Sequence, residues 1–103
     1  MLKDNNIEDG FNLIDDTEAM DILRLDTYDE NILTPIIQAI PSYIETTTGM
    51  SISDQLKEPL AKQTAGLLLQ LWYNPESYDG YRLNLTIESL LKALKAKAFT
   101  YGS

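Results

Sequence analysis

The chain has 103 residues, with 16 acids, 8 bases, no histidine, no cysteine and a formal net charge of −8. That length makes one domain with a real hydrophobic core and leaves no depth for a recessed catalytic cleft. Disulfide frameworks, thiolate zinc sites, cysteine nucleophiles and every mechanism that needs an imidazole are excluded. The negative balance argues against a sequence-independent grip on phosphate.

Hydrophobic residues make up 44% and charged ones 23%, which are the proportions of a globular protein. The charge is divided unevenly. Residues 1–54 carry twelve acids and two bases, Lys3 and Arg24, for a net −10, whereas residues 55–103 carry four acids and six bases, for a net +2. Such an acidic face either keeps the protein in solution or has a job of its own, meeting a basic partner or repelling a polyanion. The polar start, Met1 to Asn6, lacks the apolar stretch of a secretory signal, and the longest apolar run is Leu67-Leu68-Leu69. A soluble, cytosolic chain is therefore expected, and the acceptor-like Asn84-Leu85-Thr86 reads as chance.

In chain order, the first dozen residues are polar and predict a loose arm anchored by Phe11 and Leu13. Thr17 then reads as the N-cap of a short helix over 18–24, with Glu18 in its first turn and Ala19, Met20, Ile22 and Leu23 as its apolar side. Thr27-Tyr28-Asp29-Glu30 has the form of a capping box. Behind it Ile32, Leu33, Ile36, Ile37, Ile40, Tyr43, Ile44 and Thr47 recur at three- and four-residue steps, up to a left-handed cap at Gly49. Pro35 and Pro41 interrupt this stretch, yet the stripe keeps phase through both. One bent helix over 28–48 is predicted, with two helices meeting near Pro41 as the alternative.

A third helix is capped by Ser53 or Asp54, or starts at Glu58 with Pro59 in the favoured first position. Its inner stripe is Leu60, Thr64, Leu67, Leu68, Leu71 and Trp72, and Asn74-Pro75 ends it. Residues 76–81 read as a loop marked by Asp79-Gly80. A fourth helix over 86–98 carries Ile87, Leu90, Leu91, Leu94 and Ala98 on one side, with Lys92, Lys95 and Lys97 toward its negative end. The predicted fold is all-α, a small four-helix bundle over 17–98 with a flexible N-terminal arm (1–16) and a short C-terminal tail (99–103).

Catalytic chemistry is hard to find in this pattern. The acids sit at helix starts and in loops, where they cap and solvate, rather than in a recess that would separate their pKa values. A calcium loop starting at Asp26 places Ile37 at its twelfth position, where a bidentate acid is required. The glycines are scattered, and no Gly-Lys-Ser/Thr cradle occurs. No enzymatic activity, cofactor or metal is expected. What remains is interaction chemistry. Tyr78, Tyr81 and Arg82 lie in or beside one loop, Phe99 and Tyr101 lie in the tail, and Lys92 and Lys95 lie on the last helix. Tyrosine and arginine are favoured at binding hot spots because they offer large area with few torsions to freeze. Tyr81 and Phe99 could equally lid the bundle.

The order of features resembles the small head–tail connector proteins of tailed bacteriophages, also described as head completion or DNA packaging adaptor proteins. The resemblance is carried by Leu23-Arg24-Leu25-Asp26 with Asp29-Glu30 following, by Tyr43-Ile44-Glu45 and Thr48-Gly49, by Leu56-Lys57, by the Leu67 to Asn74 helix end, and by Leu90-Leu91. It spans residues 17–98. It implies a structural virion protein of the neck, assembled in the bacterial cytoplasm as a ring of about a dozen copies beneath the portal protein. Such a ring extends the DNA channel and offers a platform to the next neck or tail protein, and the ring of some members forms only on a portal template. By position, residues 75–85 and 99–103 match the family's portal and neighbour contacts. Two departures are Pro35 and Pro41, in a helix that is usually uninterrupted, and the shortness of the tail. On this reading Asp15, Asp16, Asp21, Asp29 and Glu30 face the channel, where acidic walls keep DNA from sticking. The alternative is a small acidic cytosolic inhibitor, an immunity protein or DNA mimic, that covers a basic partner.

Overall fold

A computed structural model describes residues 12–76 and 79–102. Five helices follow one another and the described residues contain no strand: α1 (Asp16–Leu23), α2 (Glu30–Thr48), α3 (Ile52–Gln55), α4 (Pro59–Tyr73) and α5 (Gly80–Gly102). The long helices α2, α4 and α5 pack on one another in a triangle. The short ones close its edges, α1 against α4 and α3 between α2 and α4. The all-α bundle is therefore as predicted, with α3 as an additional short turn.

The starts of α1 to α4 are each fixed by an oxygen-bearing side chain, because the first amides of a helix have no partner inside it. Asp15, not Thr17, caps α1. Its carboxylate accepts from the Glu18 amide at 2.7 Å, while Glu18 accepts from the Asp15 amide at 3.0 Å. Asp29, not Thr27, caps α2 by accepting from the Asn31 amide at 3.1 Å. An ionised carboxylate is the stronger acceptor and complements the helix dipole, so in each case it displaces a threonine two residues away. Ser51 caps α3, and Glu58 caps α4 with Pro59 at its start. The two alternative starts of the third helix thus divide, since α3 ends before Glu58 begins α4.

Helix α2 runs unbroken through Pro35 and Pro41 to Gly49, which adopts φ +84° as the left-handed cap. Tertiary contact supports it at Pro41, whose ring is buried and whose carbonyl accepts from Gln55 Nε2 at 3.0 Å. The buried stripe is Leu33, Ile37, Ile40, Pro41, Ile44 and Thr48. Ile32 and Thr47, predicted to face inward, point to solvent instead, and Tyr43 stays at the edge in a T-shaped contact with Trp72 (centroids 5.1 Å).

The core joins that stripe to Ala61, Ala65, Leu68 and Leu69 of α4 and to Ile87 and Leu94 of α5. Leu13 and Ile14 are also buried in it, so the packed body begins upstream of residue 17. Phe11 lies outside the described residues. The predicted tail is a further correction. Helix α5 is 23 residues long, starting six residues before the predicted helix and continuing through Gly102. The body extends 41 × 40 × 18 Å. An 18 Å thickness is less than two helix diameters, so the molecule is a plate in which every long helix keeps one face in solvent.

Candidate functional site

Helix α5 is the longest surface element, about 34 Å at 1.5 Å per residue. Its inner side presents Leu83, Ile87, Leu94 and Ala98 to α2 and α4. On the opposite side, successive turns place Tyr81, Leu85, Lys92 and Phe99 within about 40° of one another around the axis. Tyr81 and Phe99, 18 residues apart, are five full turns and about 27 Å apart along one stripe. Tyr81 and Phe99 are each 75% exposed, and Leu85 is 48% exposed. Lys95 and Glu88 border this stripe on one side and Arg82 on the other.

The structure therefore moves Tyr81 and Arg82 out of the predicted loop into the first turn of α5, and Phe99 out of the tail onto the same helix. It brings Tyr81, Lys92, Lys95 and Phe99 onto one face. Leu85 completes that face; the 3.6-residue period of an extended helix was the signal for it, hidden by the predicted start at residue 86. Tyr78 lies outside the described residues. Tyr101 belongs elsewhere: it lies on the inner side, where its hydroxyl donates to Glu58 Oε1 at 2.8 Å.

Glu58 is a polar cluster in itself. It is 5% exposed; one oxygen accepts from the Leu60 amide at 3.1 Å, and the other accepts from Tyr101 and lies 3.6 Å from Lys97 Nζ. The amide bond first, then the tyrosine hydroxyl, hold its carboxyl below the ordinary value, while the same contact raises the Tyr101 phenol. The Lys97 ammonium adds to the effect. Glu18 is held low in the same direction, mainly by its contact with Lys62 and then by the Asp15 amide. These groups fasten helices together rather than present chemistry outward.

The five candidate acids are all exposed but divide into two sets. Asp15, Asp16 and Glu30 line one cleft of about 280 Å³ between the starts of α1 and α2, together with Tyr28, Thr34 and Ile37. At its wall the Tyr28 and Thr34 hydroxyls are 2.8 Å apart. Asp21 and Asp29 stand outside that lining. Asp15 and Asp29 also serve as helix caps, a local role that accounts for their presence without any partner. No group of three or more acids is arranged to hold a metal ion among the described residues.

Ion pairing sharpens the division of charge. Lys57, Lys62 and Lys97 are paired with Asp54, Glu18 and Glu58. Among the described residues Arg82, Lys92 and Lys95 have no ion pair, and neither do the acids of the α1–α2 cleft. Three uncommitted cations are thus on α5, a fourth, Arg24, stands at the C-cap of α1, and a group of uncommitted carboxylates is at the starts of α1 and α2. No helix among the described residues is long and apolar enough to cross a membrane. No protein-family model, curated protein or solved structure matches the chain.

Proposed function

We propose that this protein is a structural subunit of a phage neck, a head–tail connector that assembles as a ring beneath the portal and extends the DNA channel. The observation that carries the reading, beside the resemblance over residues 17–98, is the outer face of α5: exposed aromatic and aliphatic side chains interleaved with cations that have no ion pair among the described residues. Closed rings are built from heterologous contacts, in which one face of a subunit meets a different face of the next. A plate with a cationic, aromatic α5 face and a separate acidic edge at α1 and α2 has two such faces. Acids beside that edge which the contact leaves uncovered border the channel and keep phosphate from adhering, so DNA passes without specific binding. The remaining surfaces take the portal and the downstream neck or tail protein. The site does no chemistry; its work is area and fit.

The cleft holding Asp15, Asp16 and Glu30 favours one other reading, an acidic inhibitor that covers a basic protein. Electron microscopy of the protein mixed with its portal separates the two. A connector gives discs stacked on the portal, and an inhibitor gives a one-to-one complex with a basic partner and no disc.

A further inference from the structure

We infer that the outer face of α5 docks against the α1–α2 edge of a second copy of this chain, with Lys92 and Lys95 reaching the carboxylates of Asp16 and Glu30. This rests on the ring reading above and assigns the two surfaces that meet in it. Complementary charge is the argument for a second copy as occupant. Arg82, Lys92 and Lys95 against Glu88 leave the α5 face net positive, although the whole chain carries −8. The groups able to balance those cations are already on this molecule. Asp15, Asp16 and Glu30 open onto one cleft on elements other than α5 and, among the described residues, have no ion pair. One copy cannot satisfy itself, because the inner side of its α5 is buried against α2 and α4 while the cations point away.

Apolar area accompanies the charge. Tyr81 and Leu85 are exposed one turn apart on the same stripe, and the cleft has Tyr28 and Ile37 in its wall beside the acids. A tyrosine flanked by cations suits such a recess. The contact is heterologous, so each copy keeps one unused face of each kind and addition continues until the ring closes. Covering Asp15, Asp16 and Glu30 in this way leaves Asp21 and Asp29 as the carboxylates turned to the channel.

The test is a charge exchange on the full chain. Lys92→Glu with Lys95→Glu in one protein, and Asp16→Lys with Glu30→Lys in another, should each weaken self-association at least tenfold in sedimentation, with helicity intact by circular dichroism. Mixing the two restores association, because each supplies the surface the other lacks. Raising salt from about 0.05 M to about 0.5 M should weaken wild-type association, because exposed pairs are screened; relief of repulsion between chains of net −8 has the opposite sign. The chain has no cysteine, so Ser89→Cys and Thr17→Cys place one thiol on each surface, and oxidation of a mixture of these variants at high concentration should link the copies. Undiminished self-association of the Asp16→Lys, Glu30→Lys protein overturns the assignment. So does association that strengthens with salt, or failure to associate or cross-link up to about 1 mM. If discs still form on the portal while the charge exchange fails, the surface assignment alone falls. If pairs form and the portal gathers no disc, the ring reading falls.

Discussion

Tyr101 donates its hydroxyl to Glu58 Oε1 across 2.8 Å, tying the last turn of α5 to the N-cap of α4 over 43 residues of sequence. The contact explains why α5 stays helical to Gly102 instead of fraying after Ala98. It also fixes how stability responds to acid. The Glu58 carboxyl lies below its ordinary 4.5, so the unfolded chain takes up a proton at higher pH than the folded one. The stabilisation is therefore fully present above about pH 4.5 and is lost as pH falls through the lowered folded value. The difference in urea midpoint between wild type and Glu58→Gln should be largest near pH 7 and should shrink toward pH 3. A difference that is constant with pH contradicts this role.

The phenol gives the complementary limb. Its folded value is raised above 10.0 by the same carboxylate, so its contribution is complete below that pH and fades as pH rises through the folded value. Tyr101→Phe keeps the ring and removes the donor. It should lower the melting temperature at neutral pH and speed amide exchange in the last two turns of α5 while leaving α2 protected.

Leu68 and Leu85 contrast a core position with a surface one. Leu68 of α4 is 1% exposed in the core, and Leu68→Ala should cost about 2–5 kcal/mol in chemical denaturation. Leu85 is 48% exposed, and Leu85→Ala should stay within about 0.5 kcal/mol while weakening assembly.

Gly49 ends α2 at φ +84°, with nothing within 4 Å of where a Cβ would sit. The cost of Gly49→Ala is therefore backbone strain alone, about 1–2 kcal/mol. A neutral effect would show that the cap relaxes.

Most of the architecture was legible in the sequence because it follows from periodicity and punctuation. Asn74-Pro75 ends α4 and Gly49 ends α2 where their chemistry demands. The misreadings have local causes. Asp15 and Asp29 outcompete Thr17 and Thr27 as caps through charge, which a preference for hydroxyl caps overlooks. The ends of α5 were misjudged because Gly80 and the polar residues after it resemble a loop, and because the Tyr101–Glu58 contact joins residues far apart in sequence. The candidate interface residues were readable one by one. Their union on a single face was not, since it depends on α5 being continuous from residue 81 to residue 99.

Tyr81 offers the simplest assay of that face. It is 75% exposed, so Tyr81→Ala should leave the melting temperature within about 2 °C and impair assembly. A collapsed melting temperature with normal assembly of the folded fraction would return Tyr81 to the core.

The most direct measurement is to mix the purified protein with its cognate portal and image the particles in negative stain. The account predicts an added disc, coaxial with the portal and open at its centre, that is absent when Lys92 and Lys95 are both glutamate. Portals that remain bare at saturating protein, or a lone copy bound to some other basic protein, would contradict it.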